Sequence, residues 1–97
     1  MPLEITDQTN FIKKAMAAVS DSYRQRILQE ILGKGAITCT DIMLLTGLSQ
    51  PACSHHIKLL MESELIERKK EGRQHFFSIN KDNFKKLGFY FEQFSNC

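Results

Sequence analysis

The chain has 97 residues, of which 42% are hydrophobic and 25% charged; 13 Lys plus Arg against 11 Asp plus Glu leave a net charge of +2. That composition excludes a disordered tail, a collagen-like chain and a low-complexity linker, and the length predicts one domain over residues 1–97. A charge so near zero also excludes a polybasic protein that captures anions by bulk charge alone.

The apolar positions Phe11, Ile12, Ala15, Met16 and Val19 recur at helical spacing and predict a first helix from about Asp7 to Val19. Ser20-Asp21 reads as a break and a new N-cap. The second helix carries Tyr23, Ile27, Leu28, Ile31 and Leu32 on one face and stops at Gly33-Lys34-Gly35. Thr38-Cys39-Thr40-Asp41 then fits a capping box, a hydroxyl at the N-cap with a carboxylate three residues on. A short helix follows with Ile42, Leu45 and Leu48 directed inward, and Thr46-Gly47-Leu48 reads as a tight turn. Ser49 caps the next helix. Leu48 and Cys53 occupy the two positions of a hydrophobic staple, and Pro51 falls in the first turn, where a missing N–H does no harm. Short helix, glycine turn and longer helix form the pattern of a helix-turn-helix.

After about Glu62 the period changes from 3.6 to 2. Residues Leu65–Lys70 and Arg73–Ile79 read as two strands, with Glu71-Gly72 as a two-residue hairpin turn between them. A basic hairpin directly after a helix-turn-helix reads as a wing. Asn80 caps a last helix with Phe84, Leu87, Phe91 and Phe94 on one stripe, widened by Phe89 and Tyr90. Seven of the nine aromatics lie between Phe76 and Phe94, more apolar surface than one small core needs, so this helix is expected to bury surface against another copy of the chain. Gly88 sits inside it at a cost of ~1 kcal/mol relative to alanine, which fits either close approach by a partner helix or an early fray.

On a wheel of ~100° per residue, Cys53, Ile57, Leu60 and Met61 fall on one side of the second motif helix. Pro51, Ser54, His55 and Lys58 fall on the other, with Gln50 free at the N-terminal end. An amide, a hydroxyl, an imidazole and an ammonium are groups that hydrogen-bond base edges and phosphates in a major groove. An ordinary solvated face has the same composition, and the wing is what tips the balance. Its tip, Arg68-Lys69-Lys70-Glu71-Gly72-Arg73, carries a net +3, which leaves −1 on the other ninety-one residues. A semi-rigid arm of this kind reaches phosphates or an adjacent minor groove, while the lysines also protect an edge strand from aggregation.

These segments resemble the ArsR/SmtB family of winged-helix repressors. Ser20-Asp21-Ser22-Tyr23-Arg24-Gln25-Arg26-Ile27-Leu28 is similar to that family's S-D-P-T-R-x-R-I-L segment, and Leu48 to Leu60 to its recognition helix. Leu65-Ile66, Arg68 to Arg73 and Phe76-Phe77-Ser78-Ile79 resemble its wing. The resemblance covers about residues 12–80. Ser22 stands where the family often has proline, and Glu64 where it often has glycine. The family implies a homodimer whose first and last helices pair across a two-fold axis, and repression released by an inducer that is often a metal.

The metal sites are where the chain departs. One family site uses C-x-C before the Asp of the first motif helix, and here Thr38 and Thr40 flank Cys39. The other needs Asp and His ligands on the last helix, and residues 81–97 contain Asp82 but no histidine. No metal and no cofactor are expected. Cys53, His55 and His56 point in different directions on one helix and read as a core thiol beside two surface imidazoles. Redox pairs in some family members link the second and last helices, but this second helix has no cysteine. Cys97 is expected to be exposed at the terminus, and Cys39 lies near a helix N-terminus.

No hydrolase signature, P-loop or dinucleotide fingerprint is present, so no enzymatic activity is expected. No apolar stretch approaches the ~20 residues that span a bilayer. Met1-Pro2-Leu3-Glu4 lacks the features of a signal peptide, and three scattered cysteines argue against a secreted disulfide framework, so a cytoplasmic protein is expected.

The expected fold is therefore mainly α, a winged helix-turn-helix of about five helices with a two-stranded hairpin. The expected function is transcriptional repression through double-stranded DNA, with Gln50, Pro51, Ser54, His55, Lys58, Arg68, Lys69, Lys70 and Arg73 at the DNA. The expected homodimer interface is Phe11, Ile12, Ala15, Phe84, Leu87, Gly88, Phe91 and Phe94. An inducer is left open. The alternatives are a thiol-redox or metal-responsive sensor of the same fold and a winged helix that binds protein instead of DNA.

Overall fold

The computed structural model describes residues 7–96. Five helices and three short strands follow in the order α1 (Asp7–Val19), α2 (Ser22–Lys34), β1 (Ala36–Ile37), α3 (Cys39–Thr46), α4 (Gln50–Glu62), β2 (Ile66–Glu71), β3 (Gln74–Ile79) and α5 (Lys81–Ser95). Cys97 lies outside the described residues, as does Met1-Pro2-Leu3-Glu4.

The helix boundaries follow from their caps. The Asp21 carboxylate accepts from the Arg24 N–H at 3.0 Å and opens α2. The Thr38 hydroxyl accepts from the Asp41 N–H at 3.2 Å while the Asp41 carboxylate accepts from the Thr38 N–H at 2.9 Å, which completes the capping box of α3. Ser49 accepts from the Ala52 N–H, and Asn80 from the Asn83 N–H. Each cap satisfies a donor that the helix cannot pair internally. At the end of α3 the chain turns through Gly47 with φ 73°, a left-handed conformation that ends α3 before α4 begins.

One hydrophobic core draws on every element. Ile12, Ala15 and Ala18 come from α1, Ile27 and Ile31 from α2, Ile37 from β1, and Ile42 from α3. Cys53, Ile57 and Leu60 come from α4, Leu65 and Ile66 from the start of the hairpin, Phe77 from β3 and Leu87 from α5. Full burial of each large aliphatic side chain contributes about 1.5–3 kcal/mol. The core side of α4 is the one the wheel predicts. The face of α2 is narrower than its sequence reads: Ile27 and Ile31 are buried, but Leu32 is 70% exposed.

Two features of the sheet correct the sequence reading. First, it has three antiparallel strands in the order β1-β3-β2, not two. Ala36 pairs with Ser78 and Ile37 with Phe77, so the hairpin is rooted in the body of the protein. Second, Glu71 pairs with Gln74, which places Gly72-Arg73, not Glu71-Gly72, at the turn. Gly72 has φ 62° and Arg73 is not in the left-handed region, so the glycine occupies the first central position, as in a type II′ turn.

Candidate nucleic-acid interface

Residue alternation along the hairpin sets its two faces. Ile66, Arg68 and Lys70 share a face with Ile79, Phe77 and His75, and the inner end of that face enters the core. Toward the tip the same face carries charge. Between it and α4 runs a groove of about 540 Å³, lined by Gln50, Ser54, Ile57, Lys58 and Met61 of α4, by Arg68, Gln74, His75 and Phe77 of the hairpin, and by Thr38, Cys39 and Thr40 at the start of α3.

Four of the sequence-predicted DNA residues therefore meet in one concavity: Gln50, Ser54, Lys58 and Arg68. Pro51 and His55 are exposed on α4 outside it, and Lys69, Lys70 and Arg73 are exposed on the outer hairpin. Thr40, Gln74 and His75 belong to the groove and were missed. His75 could have been found from its partner, because correct pairing sets it opposite Lys70. Thr40 carries no signal in one dimension. Lys58 lies 4.0 Å from Glu62, and Lys69 lies 3.6 Å from Glu71. Both pairs are exposed, and such pairs are weak enough for a phosphate to displace the carboxylate.

Behind the exposed face, α4 is held by a polar network. The Arg24 guanidinium donates through Nε to the Ala18 carbonyl at 2.7 Å and through Nη2 to the Ala17 carbonyl at 3.3 Å. Its Nη1 lies 3.0 Å from His56 Nδ1. One side chain thus ties the end of α1 to α2 and α4. His56 is not a surface imidazole: its side chain is 13% exposed and its ring centroid lies 5.7 Å from that of Tyr23. Burial lowers its pKa against the opposing pull of Asp21, and Arg24 and His55 lower it further. Asp21 is held below the usual carboxylate range, chiefly by its hydrogen bond from the Arg24 N–H.

Below the groove, Cys39 Sγ and Cys53 Sγ lie 2.7 Å apart. Cys53 is fully buried and Cys39 partly so. Burial, then the hydrogen bond and charge of Cys39, push the Cys53 thiol up to about 12. Among the described residues no three His, Cys, Asp or Glu side chains converge as metal ligands.

The residues expected at a dimer interface divide into two groups. Ile12, Ala15 and Leu87 are buried in the protomer's own core, with Phe11 and Phe84 packed partly buried against it. Phe91 and Phe94 are 49% and 62% exposed, and Phe89, outside the expected set, is 71% exposed. A Cβ added at Gly88 would meet nothing within 4 Å in the protomer.

A family model described as winged helix-turn-helix DNA-binding matches residues 20–67. The transcriptional repressor SdpR of Bacillus subtilis is 35% identical over 63 residues, which cover 65% of this chain and 69% of that one. The arsenical resistance operon repressor of Staphylococcus aureus is 37% identical over 62 residues, 64% of this chain and 59% of the relative. The chain belongs to the ArsR/SmtB family. The match spans about three fifths of the length of the staphylococcal arsenical repressor. Among solved structures, an ArsR-like transcriptional regulator from Rhodococcus sp. RHA1 superposes with a TM-score of 0.81 at 23% identity, over 94% of this chain and 85% of the other. An ArsR family transcriptional regulator gives 0.80 at 22% identity, over 90% and 89%. These two establish a shared fold, while the SdpR relative, covered over more than two thirds of its length, carries the family assignment in sequence.

Proposed function

We propose that this protein is a DNA-binding transcriptional repressor that acts as a homodimer in the cytoplasm and is not an enzyme. The observation that carries the reading is the groove in which Gln50, Ser54 and Lys58 of α4 face Arg68 of the hairpin. Beyond it, the outer hairpin presents exposed Lys69, Lys70 and Arg73. Gln50, Ser54 and His55 supply hydrogen-bonding groups for base edges, with Pro51 in contact at the helix start. Lys58, Arg68, Lys69, Lys70 and Arg73 hold phosphates, which gives affinity but little sequence information. A two-fold dimer reads a palindromic operator whose half-sites lie about one or two helical turns apart.

The apolar side chains that α5 leaves exposed, Phe89, Phe91 and Phe94, support the dimer. No helix among the described residues is long and apolar enough to cross a membrane.

The test begins with selection of bound duplexes from a random pool, followed by a salt titration of the selected sequence. Affinity falls steeply with added salt, and replacing Lys70 and Arg73 by alanine reduces the logarithmic slope by about one unit per lost phosphate contact. Gln50→Ala weakens the selected duplex by about 1–3 kcal/mol and relaxes the base preference at one position. Absence of measurable duplex binding at low salt overturns the proposal.

A further inference from the structure

The thiol pair under the groove is not used by DNA reading, and its geometry has a chemistry of its own. Two sulfurs at 2.7 Å need close by only about 0.7 Å to reach the ~2.05 Å of a disulfide bond. One is the first residue of α3 and the other lies in the first turn of α4, the first of its three buried residues, so the bond would join the two helices of the helix-turn-helix. The pair is also asymmetric in access. Cys39 lines the groove, where a small solute can reach it, whereas Cys53 is fully buried and does not line it. With no third ligating side chain converging on them among the described residues, the two sulfurs are arranged for each other and not for an ion.

We propose that Cys39 and Cys53 form an intramolecular dithiol that a hydroperoxide oxidises to a disulfide, cross-linking α3 to α4, and that bound duplex DNA shields the pair. In the first step Cys39 Sγ attacks one peroxide oxygen. An S–O bond forms, the O–O bond breaks, and the departing oxygen leaves as water (or as an alcohol from an alkyl hydroperoxide) with the thiol proton. In the second step Cys53 Sγ attacks the sulfenic sulfur of Cys39. The S–S bond forms, the S–O bond breaks, and the hydroxyl leaves as water with the Cys53 proton. Two thiols are oxidised by two electrons and one peroxide is reduced. Burial keeps Cys53 protonated at neutral pH, which assigns it the resolving role and Cys39 the first attack. The shielding rests on the DNA reading above, because the groove that admits the oxidant is the one proposed to meet the duplex.

The experiment treats the full chain, as wild type and as Cys97→Ser, with one equivalent of hydrogen peroxide, and follows thiol titration in denaturant and peptide mass spectrometry. In Cys97→Ser the expected result is loss of both thiols without an increase in molecular size on non-reducing electrophoresis. A Cys39–Cys53 cross-linked peptide appears and is lost on reduction with dithiothreitol. Cys39→Ser, which leaves the core thiol in place, abolishes the cross-link. Interchain products alone, or Cys39 sulfinic acid with Cys53 still titratable, overturn the proposal. Saturating selected duplex, with binding checked independently by anisotropy, slows cross-linking at least tenfold. Unchanged rates on a duplex that does bind overturn the shielding. If no duplex binds, the DNA reading fails, while the cross-link measured on the free protein stands or falls alone.

Discussion

His56 shows how one buried polar side chain makes stability depend on pH. Burial lowers its folded pKa, so the unfolded chain takes up the proton first, near the ordinary value of ~6.5. Stability is therefore complete above about pH 6.5 and is lost as pH falls from there through the lower folded value. A urea midpoint lower at pH 5.5 than at pH 7.5 is expected, with a smaller difference in His56→Gln, which retains an acceptor for Arg24. Asp21 acts further into the acid range: its lowered pKa adds stability that is lost only as pH falls below about 4. Glu64 makes the corresponding point for the backbone. It holds φ 62° between α4 and β2, a conformation costly for any residue with a Cβ, at the position where the ArsR/SmtB family often has glycine. Glu64→Gly is expected to gain roughly 0.5 kcal/mol, the relief of strain being partly offset by greater freedom of the unfolded chain. Glu64→Val is expected to lose at least about 1 kcal/mol. Thermal or urea unfolding of the two variants separates these signs.

At the level of elements, caps were the most legible feature and pairing the least. Thr38, Ser49 and Asn80 cap where the sequence places them, because a cap is a local bond between a side chain and a backbone group two or three residues on. Thr38→Ala removes one such bond from α3 and is expected to cost about 1 kcal/mol in unfolding, with the duplex contacts proposed for α4 weakened only secondarily. The strand β1 was illegible because two residues, Ala36-Ile37, cannot display a period. The hairpin turn slipped by one residue because Glu-Gly resembles turns with glycine second, whereas the pairing of Glu71 with Gln74 puts Gly72 first. The helical wheel placed Cys53 in the core correctly. It had no means of bringing Cys39 beside it, since that proximity depends on how α3 crosses α4.

For the whole molecule, α5 is the element on which the proposed homodimer rests. Leu87 faces inward and completes the protomer, while Phe89, Phe91 and Phe94 leave it with an apolar exterior. Phe91→Glu is expected to give monomers or insoluble protein in size-exclusion chromatography. A soluble dimer of unchanged size would show that the interface lies elsewhere. The monomers should retain weak binding to a half-site, since none of the proposed DNA contacts lies on α5. The burial of Ile12 and Ala15 was not separable in sequence from an interface role, because core and interface use the same apolar periodicity.

The short strand β1 carries a mechanical consequence. Ile37 is clamped to Phe77 at the root of the hairpin, and the next residue, Thr38, is the cap of α3. The arm is therefore a cantilever whose fixed end is one peptide bond from the helix-turn-helix. Torque on its tip passes into α3 through the covalent chain instead of dissipating in a hinge. On the proposed DNA reading, the hairpin and α4 then act as the two arms of a calliper of fixed opening, so that a duplex contacting both is gauged for spacing as well as read.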